Sequence, residues 1–429
     1  MTGTDGGPAI AGKQPLGRAS RPRKILVHGM NHAPEPTGVG RYTGEIVAYL
    51  VERGHEVDVI TTAPHYPGWA TKAPYTSGRY YVESAPGLHV IRCPLLLRRE
   101  MRGIWRVLAP LTFAASSAPV AAFRILRRRP DVVLCVEPTL FSAPLSVFTA
   151  WLVGARRVLH VQDIEVDAAF AVGHVRAGGI AAKLAFAFDR FMHRRFDQII
   201  TISNQMRKAL SGRAASPSQV AVVRNWVDLD QIRPLDTPNG YRRELGLSDQ
   251  QFVALYAGNI GAKQALTVIL EAALRLRDRA DVTFVIAGDG PEKPALVEKY
   301  GQLPNVRFLP IQPEARLCEL LNLADVHVLP QHAGVADLVL PSKLGGMLAS
   351  GKPSLVCADE GTELHGFLDG IAILVPPGDA DAVARELSIL IDNRAHPAIG
   401  DGRRLADELA KNVNLRRFEA LLTGTPEST

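Results

Sequence analysis

Two consecutive doubly wound α/β units are the architecture this 429-residue sequence predicts. Three observations lead there. Short runs rich in valine and isoleucine alternate with amphipathic helical stretches, the pattern of a parallel sheet covered by helices. The series runs once, breaks at a stretch rich in proline, asparagine and glycine, and starts again. The chain is also longer than one hydrophobic core serves, so two units of roughly 200 residues are the default.

In order, residues 1–21, beginning "MTGTDGG", are glycine-rich and polar, have no apolar stretch of signal-peptide type and are expected to be a disordered leader. The first unit covers 22–225, with strands at "KILVHGM", "HEVDVIT", "LHVIRC", "DVVLCVEP", "RRVLHVQD" and "QIITIS". Its first helix is announced by Tyr42, Ile46, Val47, Leu50 and Val51 on one face, with Gly54 as the stop. A connection spans 226–250, and the second unit, 251–395, uses "FVALYAGNIG", "VTFVIAGDGP", "VRFLP", "DVHVLP", "PSLVCAD" and "AILVPPG". Residues 396–429 remain for a C-terminal helix, packing back on the first unit, and a tail. Ligands of such sheets bind outside the carboxyl ends of the strands, so the expected site is the cleft between two units.

The composition, 47% apolar and 21% charged, is that of an ordinary globular protein. Cys93, Cys135, Cys318 and Cys357 are scattered, which suggests reduced, buried thiols in a cytosolic protein and not a disulfide framework. The net charge of +6 is unevenly spread: Arg98 to Arg129 holds eight arginines (98, 99, 102, 106, 124, 127, 128, 129) against one acid, Glu100. Two uncharged runs, 107–123 and 138–155, are at or below the length needed to cross a bilayer and carry prolines. They read as buried helices. The arginines read either as a solvated face or as a contact with an anionic membrane surface. Nucleic-acid binding is disfavoured because the basic cluster lacks interleaved aromatics apart from Trp105.

Several strand ends carry candidate chemistry. Gly38-x-Gly40-x-x-x-Gly44 precedes a helix, where free N–H groups attract an anion, but its spacing is not that of the GxGxxG dinucleotide fingerprint. The pair Gly351-Lys352 is followed by Pro353, which excludes a P-loop. In the second unit Gly258, Asn259 and Lys263 combine glycine with a lysine expected at the entrance of the helix "ALTVILEAALRL", suited to a diphosphate. Gly288 and Gly290 end the next strand, where missing side chains let backbone approach a ligand. His160 sits at a strand end, to contact a substrate hydroxyl or move a proton, or else as a core histidine. Asp163, Glu165 and Asp167, and the pairs Asp228/Asp230 and Asp379/Asp381, have no histidine or cysteine companions that would suggest a metal. A helix is expected from Pro341 and Ser342 to Gly351, with Asp337 in the loop before it and Lys343 in its first turn.

Together "PEPTGVGRYTGE", "PHYPGW", "VLHVQDIEVDAA", "YAGNIGAKQAL", "GDGP" and "ADLVLPSKL", in this order, resemble the retaining GT-B glycosyltransferases of glycosyltransferase family 4, especially the bacterial enzymes of colanic acid and O-antigen assembly. The resemblance implies two Rossmann-like domains facing each other across a cleft, with acceptor on the first and nucleotide sugar on the second. It implies transfer of a hexose from a GDP- or UDP-linked donor, with retention and without metal or other cofactor. The acceptor would be a lipid-linked saccharide at the inner face of the plasma membrane, with the enzyme cytoplasmic and peripheral through the Arg98–Arg129 region. By the same resemblance His160, Lys263 and Asp337 are catalytic. Gly38, Gly40, Gly258, Asn259, Lys263, Gly288, Gly290, Ser342 and Lys343 bind the donor. The chain departs from the family where an arginine is usual, at Asn259, and where two acidic residues are usual, at Leu338 and Gly346. Asp337 then takes the sugar contact and the ribose contact is unassigned. A nucleotide-sugar epimerase and a non-catalytic nucleotide-sugar-binding protein are the alternatives on the same scaffold.

Overall fold

The computed structural model describes residues 19, 21–66, 68–98, 104–164, 179–237, 239–332, 338–396 and 399–425. Asp337, Glu165, Asp167, Arg99, Arg102 and nearly all of the expected leader lie outside them. The chain divides into two compact units, Met1–Gln198 and Ile199–Thr429.

The first sheet has eight strands in the order β3-β4-β2-β1-β5-β6-β7-β8. These are β1 Lys24–His28, β2 Glu56–Thr62, β3 Tyr81–Ala85, β4 Leu88–Cys93, β5 Val132–Glu137, β6 Arg156–Val161, β7 Gln198–Thr201 and β8 Val220–Val222. β1 pairs in parallel with β2 and β5, β2 with β4, β5 with β6 and β7 with β8, while β3 runs antiparallel to β4. The central strands are buried on both faces, as their continuous apolar runs require: Ile25, Leu26, Val27, Val133 and Leu134 are within a few per cent of full burial. The second sheet has six parallel strands, β9 Phe252–Ala257, β10 Val282–Ala287, β11 Val306–Leu309, β12 Val326–Leu329, β13 Ser354–Cys357 and β14 Ile373–Val375, in the order β11-β10-β9-β12-β13-β14. Counted within this unit that is the 3-2-1-4-5-6 order of a doubly wound fold, whose switch point lies between β9 and β12.

Two strands escaped the sequence reading. β3, "YVESA", is a half-exposed edge strand without an apolar run, held to β4 by Arg92, whose Nε donates to Glu83 at 2.5 Å. β8 is three residues long and lies in the last residues expected for the first unit, just before the connection expected at 226–250.

The uncharged runs become helices α2, Ile104–Arg128, and α3, Ala143–Val153. Among the described residues α2 is the one helix long and apolar enough to cross a membrane by length and composition. It is nevertheless a layer of the first unit: Ala109, Phe113, Ser117, Ala121 and Ile125 recur every fourth residue and are fully buried. Arg124 reaches Asp58 at 3.0 Å and Arg128 reaches Glu56 at 3.3 Å, so these two cations are committed to acids of β2. The buried His28 ties both helices to β1, its ring nitrogens 2.9 Å from Ser117 Oγ and 2.8 Å from Ser146 Oγ. The expectation that both runs are buried fails for α3, whose outward face is apolar and open to solvent. The thiols of Cys93, Cys135 and Cys357 are pushed up to about 12 by burial, as inert core cysteines are.

Candidate active site

In the first unit the loop after β1 is organised by a residue the sequence reading passed over. Glu35 is buried, and its carboxylate accepts the backbone N–H groups of His65 at 3.1 Å and Tyr66 at 3.0 Å and the Asn31 side-chain amide at 2.9 Å. It thereby fastens the glycine loop to the "PHYPGW" loop. Gly40, inside α1 (Gly38–Glu52), is glycine because a Cβ would strike the Glu35 side chain, and Gly38 takes φ +63 at the helix start. Arg41 turns along the helix surface to Glu45 at 2.8 Å. His160 lies near the end of β6, opposite Val136 of β5, and the parallel order β1-β5-β6 sets it on the same carboxyl edge as the Gly38 loop.

His160 is buried, its Nε2 3.2 Å from Gln162 Nε2, and burial pulls its pKa down to about 3. A ring so hard to protonate works as a neutral hydrogen-bonding group and is a poor base near neutrality. His28 and His32 are lowered to about 4 and His327 to about 3, by burial first. Each of the four is harder to protonate folded than unfolded. The unfolded chain therefore takes up extra protons as the pH falls below 6.5 toward 4, and stability is lost across that window. The slope is at most about 1.4 kcal/mol per pH unit per histidine. Urea unfolding midpoints should drop clearly between neutral pH and pH about 5; unchanged midpoints would show that these rings titrate normally.

The second unit gathers most of the remaining candidates at the end of β9. Lys343 Nζ donates to Tyr256 Oη at 2.7 Å and lies 4.1 Å above the centre of that ring, while Tyr256 Oη donates to the Asn259 carbonyl at 2.5 Å. A Cβ on Gly258 would sit 3.2 Å from the same ammonium, so the lysine lies directly against the glycine loop. No carboxylate pairs with Lys343 among the described residues, and burial lowers its pKa to about 8. Tyr256 is driven well above the usual phenol range by burial. A half-buried cation without counter-charge at a switch-point loop is what an anionic ligand would complete.

Gly258, Gly288 and Gly290, at φ +154, +147 and +155, serve each other before any ligand. A Cβ on Gly288 would overlap the Gly258 carbonyl and one on Gly290 the Ile260 backbone, so the β9 and β10 loops lie backbone to backbone. Lys293 pins this arrangement by donating to the carbonyls of Gly288 at 2.7 Å and Leu309 at 2.9 Å. Asn259 is exposed, its amide 3.3 Å from Gln264 Oε1.

Lys263 is exposed on a separate 3₁₀ turn, Ala262–Gln264. The helix expected to start beside it begins at Thr267, because Ala265 takes φ +46 and interrupts the coil. Ser342 is exposed, and Lys343 caps a helix of Leu344–Ala349, shorter than the expected one, so it precedes the first turn. A Cβ on Gly346 would meet Leu321 Cδ1 at 3.1 Å and Ile232 Cδ1 at 3.6 Å, both apolar.

One group in the first unit is unforeseen. Glu137, Asp189 and His193 are all buried and bring potential metal-ligand atoms within 4.8 Å of one another. Each also engages further neighbours. Their wide separation in sequence hides them.

A Glycosyl transferase 4-like domain profile matches residues 37–226 and a Glycosyl transferases group 1 profile matches 251–393. The putative colanic acid biosynthesis glycosyl transferase WcaI of Escherichia coli K12 is 40% identical over 371 residues, 84% of this chain and 90% of its own length. The chain belongs to glycosyltransferase family 4. Solved structures agree on the fold. Sucrose-phosphate synthase of Thermosynechococcus elongatus superposes with a TM-score of 0.66 at 16% identity, over 93% of this chain and 98% of that one. Anabaena HepE in complex with UDP does so with 0.65 at 15%, over 94% and 100%. This glycosyltransferase is thus of the GT-B class, with two Rossmann-like domains.

Proposed function

We propose that this glycosyltransferase moves a hexose from a nucleoside diphosphate sugar, with retention, to a lipid-linked saccharide in exopolysaccharide or O-antigen synthesis. The observation that carries the reading is the Lys343 ammonium, without a carboxylate partner among the described residues, held by Tyr256 against the Gly258 loop. Cations and oriented N–H groups at this edge stabilise a departing diphosphate without reorganising during reaction. Lys263, exposed on the neighbouring turn, adds a mobile second charge. The UDP complex of HepE and the colanic acid relative support the donor and the process. Asn259, next to Gly258 in the loop, and Ser342, next to Lys343 in the chain, are both exposed and serve as further donor contacts.

In the first unit the glycine loop at Gly38 and Gly40 borders donor and acceptor, and His160 presents a neutral nitrogen to the sugar. No metal or other cofactor takes part. The departing diphosphate and the incoming hydroxyl share one face of the sugar, which keeps the anomeric configuration without a covalent intermediate. Asp337 contacts the sugar. The enzyme works in the cytoplasm, peripheral to the inner membrane leaflet.

Lys263→Ala should fold normally and lose on the order of 10²–10³ in turnover. Near-normal release of nucleoside diphosphate by this variant would reject the lysine's role.

A further inference from the structure

We propose that α3 and the helix Ile180–His193 form the surface by which this protein docks on an anionic lipid bilayer. On its inner side α3 buries Ala143, Ser146, Val147 and Ala150. On its outer side Phe148 is 53% exposed, Trp151 61% and Leu152 53%, and no charged residue occurs anywhere in 138–155 to keep that face wet. A helix face this apolar, left open, marks a site of association.

The helix Ile180–His193 meets the turn Leu140–Ser142 that leads into α3, Phe188 stacking on Phe141 at 5.3 Å with 11° between the rings. It adds Leu184, 65% exposed, and Phe191, 54% exposed. Lys183, Arg190, Arg194 and Arg195 line one open groove with Phe191. The Arg195 guanidinium lies 4.5 Å from the centre of the Phe191 ring. None of the four cations pairs with a carboxylate among the described residues, unlike Arg124 and Arg128 on α2.

Aromatic and aliphatic side chains beside unpaired cations match the headgroup layer of a membrane. The rings enter the boundary of the acyl chains and the cations meet lipid phosphates. A second copy of the chain fits poorly, since a two-fold contact would set four cations against four. The inference rests on the proposed lipid-linked acceptor only for its purpose. Vesicle binding needs no sugar donor, so transfer without flotation and flotation without transfer tell the two apart.

The test is flotation of the full-length protein with phosphatidylcholine vesicles, with and without phosphatidylglycerol. The wild type should float with the anionic vesicles and bind neutral ones about tenfold or more weakly. Its tryptophan emission should shift to the blue on binding, and Trp151→Phe should float while losing most of that shift. The double variant Arg190→Glu/Arg194→Glu and the triple variant Phe148→Ser/Trp151→Ser/Leu152→Ser should keep their circular dichroism and lose flotation. The proposal is overturned if the wild type stays unbound, if either multiple variant floats like wild type, or if Trp151→Phe retains the full shift. A wild-type dimer that the triple variant dissolves, with no flotation by either, would show instead that a second copy covers the face.

Discussion

Lys343→Met is expected to lower turnover by about 10²–10³-fold while leaving the second unit as stable as before, or more so. The first effect follows from removing a pre-placed cation beside a developing diphosphate. The second follows because a half-buried ammonium whose only hydrogen bond among the described residues is to Tyr256 costs desolvation that methionine does not. The same lysine gives a pH signature. With its pKa at about 8 it is charged at neutral pH and loses its proton as the pH rises through that value. A bound diphosphate favours the charged form, so donor affinity should weaken above pH about 8, by at most tenfold per pH unit, and Lys343→Arg should flatten the decline. Donor titrations at several pH values, read with turnover, check both statements. A Lys343→Met variant with normal turnover and an unchanged affinity profile would remove Lys343 from the site.

Gly290→Ala is expected to destabilise the second unit by about 3 kcal/mol or more. Its φ of +155 strains any side chain, and a Cβ would press on three backbone atoms of Ile260, which cannot step aside as a side chain could. Gly378→Ala is the control: φ is again positive, +82, but nothing lies within 4 Å, so conformational strain of about 1–2 kcal/mol is the whole cost. Urea unfolding followed by circular dichroism separates the two. Equal losses would mean that the β9 and β10 loops do not depend on their close approach.

The strands were legible because parallel strands buried on both faces must be continuously apolar, and every run picked out became one. β3 was not, because an edge strand with Glu83 and Ser84 has no such run. Gly288 and Gly290 stood out as places where backbone can approach a ligand, and the structure adds a packing reason for them. Their contact with Gly258 and Ile260 depends on β10 lying beside β9, which no local pattern states. Tyr256 and Lys343 stand 87 residues apart, so the couple that gives the candidate site its charge emerges only once β9 and the Leu344–Ala349 helix are placed. Glu35 was hidden by its neighbours, since an acid between two prolines reads as a solvated turn. The run 138–155 shows the limit of composition: residues apolar enough for a core also serve as an open face, and Phe148, Trp151 and Leu152 are on the latter.

The most direct test of the central claim is to incubate the protein with candidate UDP- and GDP-sugars, with and without a lipid-linked saccharide fraction, and to follow both nucleoside diphosphate release and the anomeric configuration of the product. Acceptor-dependent release with the donor's configuration kept in the product is the predicted result. Conversion of the donor to another sugar nucleotide without acceptor, or donor binding with neither transfer nor hydrolysis, would contradict it.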